Sequence, residues 1–327
     1  MLYGVFIMKL LLTTVILSIA LLLSGCSKNN EINKQYSIGI IQYTNTNTKT
    51  LFGFKDKLYS LGFIEGENTT YIDYGYAKSF DEIQQKLVKI MTQNPDIIFS
   101  STTPASIAAY KIAKKDNIPV VFAPVNDPVK AGIITNLKAP GEHITGVRLG
   151  SSDDKRLEWL TILNKETKRV LVPHNPKDKS ANTTIETIKH AATTLGVELI
   201  LKPIHSKEEF NTLLANLPDD IQAIFLPRDG FIMSRNKDFA KACQEKKIVL
   251  STPRYEHVQD GATTGYGFIG YVVGKQAARI AGAILNGTPP GDIPVETAED
   301  YFFINIEVLN KINLKVGNNI LRQAYKE

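Results

Sequence analysis

Residues 96–128, DIIFSSTTPASIAAYKIAKKDNIPVVFAPVNDP, constrain the fold more than any other stretch of the chain. They read as strand, helix, strand, with a polar loop at the carboxyl end of each strand. Residues 97–99 and 120–122 are short runs of β-branched residues and phenylalanine, which suit strands buried on both faces of a parallel sheet. Between them, Thr103 is placed to cap a helix and Pro104 to be its first residue, where a missing N–H costs nothing. Open α/β sheets take ligands outside the carboxyl ends of their strands. Here that position carries Ser101, Thr102 and Thr103, then Asn126 and Asp127, beside helix amides that favour an anion. A small zwitterion fits such a rim. Ordinary helix capping and turn chemistry is the plainer reading of the same residues.

The chain has 327 residues, 43% of them hydrophobic, which suits about two globular domains. Its net charge of +5 is diffuse, with basic runs no longer than Lys114-Lys115 or Lys246-Lys247, so a nucleic-acid partner has little support. Lys9 is followed by LLLTTVILSIALLLSG, an apolar or small run ending at Cys26. One positive charge, a short hydrophobic stretch and small residues before a cut describe an export signal. The run is too short and one-sided for a membrane span, although an uncleaved anchor helix is the competing reading. Leu23-Ser24-Gly25-Cys26 resembles the bacterial lipobox, in which the cysteine becomes the lipidated first residue. Residues 1–25 are therefore predicted as signal peptide, with Met1 or Met8 as the start, and 26–35 as lipidated cysteine and flexible linker. Such a chain is exported and lipid-anchored to a bacterial membrane, facing the periplasm or cell exterior. Cys243 is then left without a disulfide partner, and its apolar position in DFAKACQEKK suits a buried thiol.

Strand 36–41 ends in Gln42-Tyr43-Thr44-Asn45. Leu51, Phe54, Leu58 and Leu61 share one face of a helix that Gly62 stops. Strand 70–74 follows, then an amphipathic helix carrying Phe80, Ile83, Leu87 and Ile90. Strand and helix alternate, so the class is α/β with a parallel sheet. At Ala139-Pro140-Gly141 the rhythm pauses, and the extended segment after it is predicted to cross between lobes. A second series has strands at 169–172, 197–201, 223–226 and 248–250, with helices between them. Its loops are His174-Asn175-Pro176, Pro227-Arg228-Asp229-Gly230 and 252–256. Helix 275–285 and strand 301–304 complete the set. Two doubly wound parallel-sheet lobes, facing one another across a cleft, are expected.

These stretches resemble the solute-binding lipoproteins of ABC transporters, which have the type I periplasmic-binding fold, and within them the group that binds tryptophan or tyrosine. The likeness lies in GFKDKLYSLGFIEGEN (53–68), STTPASIAAYKIAKKDNIPVVFAPVNDPVKAGII (101–134), ITGVR (144–148) and GKQAARIAGAILNGTPPGDIPVE (274–296). It implies two lobes, joined by three crossings, that close on ligand like a hinge. Residues 36–148 with 269–292 form the first lobe, and 149–268 with 293–327 the second. The implied ligand-binding residues are Gln42, Thr44, Thr102, Thr103, Asn126 and Asp127 from the first lobe. The second contributes Asn175, Asp229, Arg254 and Tyr255. Thr102, Thr103 and the amides at Pro104 then hold a carboxylate, each hydrogen bond to a charged group contributing about 1.5–3 kcal/mol. Asp229 or Asp127 pairs with an α-ammonium. Tyr43, Phe231 or Tyr255 stacks on a ring, at about 0.5–1.5 kcal/mol beyond area burial. His174, Arg228-Asp229 and Arg254-Tyr255 depart from the family's usual loops, and two arginines suit a ligand with a second acidic group. The implied role is capture of a small amino-acid-like ligand by a monomer, for delivery to an ABC permease and ATPase. A ligand-sensing or surface-interaction lipoprotein acting through a partner protein is the alternative.

Other chemistries find little support. Gly265-Tyr266-Gly267-Phe268-Ile269-Gly270 matches the dinucleotide pattern G-x-G-x-x-G, but the chain ends too soon for a second nucleotide-binding half. The five histidines show no metal-ligand spacing, and no G-x-S-x-G elbow is present. Neither cofactor, metal nor catalysis is expected.

Overall fold

Short apolar strands alternating with amphipathic helices build two sheets. The structure is a computed structural model that describes residues 34–141 and 143–325. The predicted signal peptide and Cys26 lie outside the described residues. In chain order the first part comprises β1 (Tyr36–Gln42), α1 (Thr48–Ser60), β2 (Thr69–Asp73), α2 (Phe80–Met91), β3 (Ile97–Ser101), α3 (Thr103–Ala113), β4 (Val120–Val125) and β5 (Ile144–Arg148). The second comprises α4 (Asp153–Leu163), β6 (Arg169–His174), α5 (Lys179–Leu195), β7 (Glu198–Pro203), α6 (Lys207–Ala215), β8 (Ala223–Phe225), α7 (Gly230–Met233), α8 (Asn236–Lys246), β9 (Val249–Arg254), α9 (Tyr255–Gln259) and β10 (Thr264–Phe268). The chain ends with α10 (Gly270–Leu285), β11 (Glu296–Thr297), β12 (Tyr301–Ile304), α11 (Ile306–Lys311) and α12 (Asn318–Leu321).

The first sheet has the order β11-β5-β4-β3-β1-β2, parallel throughout. The second has the order β12-β10-β9-β8-β6-β7, parallel except for β12, which runs antiparallel to β10. Successive strand residues serve opposite faces, as the pleat requires. Ile97 and Phe99 join the core layer under α1 and α10, whereas Ile98 joins the layer under α2 and α3. In the second sheet Val170 and Val172 face one layer and Leu171 the other. Both sheets are thus covered on both faces, which explains why their strands read as continuous apolar runs. Cys243 is buried in one of these layers.

Helices α1 and α10 approach closely because glycine stands at their contact. A Cβ at Gly53 would lie 2.1 Å from the Tyr271 carbonyl oxygen, and one at Gly274 would lie 2.0 Å from that of Thr50. This contact places α10 in the first lobe. The chain therefore crosses between lobes after β5, after β10, and between β11 and β12. The last return was expected at residue 293, but β11 still pairs with β5 in the first sheet. Helix α10 also begins five residues before the expected 275, and the expected loop at 252–256 is the end of β9 and the start of α9. The glycines of the G-x-G-x-x-G run permit close contact here. At Gly267 a Cβ would meet the Pro253 carbonyl oxygen at 2.0 Å.

Candidate functional site

The strand-end loops of the two lobes meet and bond to one another. Thr44 Oγ1 donates to the Gly230 carbonyl (3.2 Å), and Asn126 Nδ2 donates to that of Ser180 (3.2 Å). Lys179 Nζ reaches the Ala131 carbonyl at 3.3 Å, and Lys130 pairs with Glu186 at 3.4 Å. The buried Arg254 guanidinium, carried on β9, donates to the Thr46 carbonyl and Asn47 Oδ1 of the first lobe. The lobes are closed. Between them lies a tight cavity of about 40 Å³. Its first-lobe wall includes Thr46, Asn47, Thr102, Thr103 and Asn126, and its second-lobe wall Asp178, Ser180, Arg228, Met233 and Phe268.

The first-lobe wall is neutral and strained. Thr102 has φ +86°, a region that a β-branched residue adopts at a cost of about 1–3 kcal/mol. Its hydroxyl is buried without a hydrogen-bond partner among the described residues. Strain and an unused polar atom thus coincide at the cavity wall. Helix α3 begins at Thr103, so Thr102 occupies the capping position expected for Thr103, and makes no side-chain cap. Thr103 Oγ1 accepts the Asn126 amide at 3.4 Å.

The second-lobe wall is charged. Asp178 caps α5, its carboxylate accepting the amides of Ser180 (2.8 Å) and Gly230 (3.4 Å). Asp229 caps α7, accepting the amides of Asn175 (2.5 Å), Phe231 (2.9 Å) and Ile232 (3.0 Å). Burial raises the pKa of both carboxyls, and the Asp178 charge pushes that of Asp229 further, against the pull of the amides. A cation entering beside this pair would restore their ionised form.

Arg228 belongs to a second buried group. Asp153 pairs with Arg228 Nε and with Arg156 Nη2, each at 2.9 Å, and accepts the Thr184 hydroxyl at 3.1 Å. Burial alone would raise the Asp153 pKa, but Arg228 and Arg156 hold it below the usual carboxylate range. Asp300 balances the second guanidinium: it accepts the Ser152 hydroxyl (2.6 Å), which in turn accepts from Arg228 Nη2 (3.2 Å). Arg228 Nη1 is buried and has no partner among the described residues. The cavity thus presents the Asp178 carboxylate, which suits a cation, and an arginine and a hydroxyl, which suit an anion.

Of the expected residues, Thr102, Thr103 and Asn126 line this cavity. Gln42 fixes the first loop through the Asn47 carbonyl (3.2 Å), while Thr44 and Arg254 bridge the lobes. Asn175 supports Asp229 through its amide, and Asp229 lies beside the wall without lining it. Asp127 instead caps its own turn, accepting the amides of Val129 and Lys130. The Tyr255 ring packs on Phe303 and Tyr325. Tyr43 packs on Phe80, and Phe231 lies under the Arg235 guanidinium at 3.5 Å. None of these four lines the cavity. Sequence reasoning missed Asp178, whose position before Lys179-Ser180 looks like any helix cap.

Residues 37–327 match the family described as ABC transporter substrate binding protein. A tyrosine-binding protein from Clostridioides difficile (strain R20291) is 28% identical over 309 residues, covering 90% of this chain and 89% of that protein. Among solved structures, an ABC domain in complex with L-Trp from Streptococcus pneumonia is similar with a TM-score of 0.82 at 19% identity, over 89% of this chain and 99% of that one. The ligand-free, open structure of a substrate binding protein with adhesive properties from Clostridium difficile has a TM-score of 0.63 at 28% identity, over 87% of this chain and 97% of that one. The matched family span takes in both sheets and every residue of the cavity wall, and the chain belongs to the substrate-binding proteins of ABC transporters, extracytoplasmic receptors that hand a small solute to a permease.

Proposed function

We propose that the protein captures a free amino acid in the closed cleft and delivers it, unchanged, to an ABC permease and its ATPase. The observation that carries this reading is the division of charge around one cavity. The α-ammonium pairs with Asp178, backed by Asp229, and the carboxylate takes the Thr102 hydroxyl and Arg228 Nη1. A tyrosine-binding relative and a neighbour in complex with L-Trp favour an aromatic side chain. The receptor acts as a monomer, tethered through a lipid on Cys26 within the Leu23-Ser24-Gly25-Cys26 motif. Replacing Cys26 by Ser should release it from the membrane fraction.

A thermal-shift screen over amino acids, dipeptides and small aromatic acids tests the reading. A true ligand at one hundred times its Kd should add about 2.7 kcal/mol of stability. A flat response across the amino acids would remove it. Surface interaction through a partner protein is the second reading, favoured by the adhesive properties of one structural relative. Loss of amino-acid uptake in a strain lacking this protein supports delivery; intact uptake with lost surface attachment supports the second reading.

A further inference from the structure

The cavity has a neighbour. Helices α2 and α3, with the start of α5 and the loop before it, border a second groove of about 200 Å³. Thr103 and Pro104 belong to the walls of both spaces. On the opposite lobe, consecutive residues divide between them. Asp178 and Ser180 line the inner cavity, while Lys177 and Lys179 line the outer groove. The two spaces thus adjoin, with Thr103-Pro104 and residues 177–180 forming the wall between them.

The outer groove has an apolar floor of Phe80, Ile83, Ile107 and Ala108. Its charged lining is Lys111, Lys177 and Lys179, with no carboxylate among the lining residues. Lys179 Nζ is bonded to the Ala131 carbonyl, whereas Lys111 and Lys177 form no ion pair among the described residues. Three ammonium groups around an apolar floor create a positive potential that selects a complementary anion.

We propose that this groove receives the distal end of the captured amino acid, and that its lysines select a side chain with an apolar stem ending in an anionic group. The inference rests on the zwitterion reading of the inner cavity. With the ammonium at Asp178 and the carboxylate at Thr102 and Arg228, the side chain leaves between Thr103-Pro104 and residues 177–180. Its stem lies on Ile83 and Ile107, and its terminal carboxylate or phosphate meets Lys111 and Lys177.

Isothermal titration with L-phenylalanine, 4-carboxy-L-phenylalanine and O-phospho-L-tyrosine tests it, the last two separating a carboxylate from a phosphate. At least one anionic probe should bind about tenfold or more tightly than phenylalanine, and high salt should narrow that gap. In the Lys111→Gln/Lys177→Gln double variant, whose lysines are both exposed, the ratio should fall to about one. Equal affinities in the wild-type protein, or a preference that survives the double variant, overturn the groove's role and leave the inner site standing. If none of the probes and no other amino acid binds, the zwitterion reading fails and takes this one with it.

Discussion

The two walls of the cleft are built in opposite ways. The second-lobe wall carries the charges, and each is fixed by bonds inside its own lobe. Asp153 is held by Arg156, Arg228 and Thr184, and Asp178 and Asp229 by amides at residues 175, 180 and 230–232. The first-lobe wall offers hydroxyls and an amide, and Thr44 and Asn126 bond across the cleft. The difference teaches where preorganisation is needed. A desolvated charge without fixed partners costs several kcal/mol, so charges must be in place before the ligand arrives. Neutral groups can complete the site on closure.

The largest test of this asymmetry removes a charge from the rigid wall. Arg228→Met leaves Asp153 with one guanidinium and should cost about 3–5 kcal/mol of stability. Differential scanning calorimetry should show the melting temperature falling by about 10 °C, while hydrogen exchange finds the first sheet's protection retained. Next, Asp178→Asn keeps the shape of the cap but removes the charge proposed to pair with the ammonium. Amino-acid affinity should drop about 100-fold, or roughly 2.7 kcal/mol, with unchanged circular dichroism. An effect below about threefold would shift recognition to the other wall.

A third test is pH. Because burial raises the carboxyl pKa of Asp178 and Asp229, the folded, ligand-free protein holds protons that the unfolded chain releases above about pH 4. Stability without ligand should therefore fall as pH rises from that point through the raised folded values. Affinity for an ammonium should rise severalfold over the same interval, because the pair must ionise to accept it. Asp229→Asn should flatten both curves, read by melting temperature and titration between about pH 5 and 8. The smallest effect belongs to the neutral wall. Thr102→Gly relieves the positive φ and should raise stability by up to about 1 kcal/mol. It also deletes a hydroxyl, so affinity should weaken by about three- to tenfold.

The sheets were legible because their signal is local. Runs such as residues 97–99 and 120–122 are apolar on both faces, and Pro104 marks a helix start. The site was legible only in part, because side-chain direction on a loop depends on what lies opposite. Asp127 and Asp229 both follow strands and look alike in sequence. One caps its own turn at the surface, and the other is buried beneath the cleft. Asp178 carried only a capping signal, since its importance comes from residues near 230 folding against it. Tyr255 was drawn away by Phe303 and Tyr325, which lie 48 and 70 positions along. Such encounters have no trace in a local window.

The glycine contact between α1 and α10 has a consequence for the order of assembly. Gly53 must reach Tyr271, and Gly274 must reach Thr50, before the layer over Phe54 and Leu58 is sealed. During synthesis, that half of the protein has its strands early but lacks their outer cover until most of the polypeptide has been made. A chain interrupted before residue 270 would present an oily sheet face to water, so the receptor matures as a whole and not half by half.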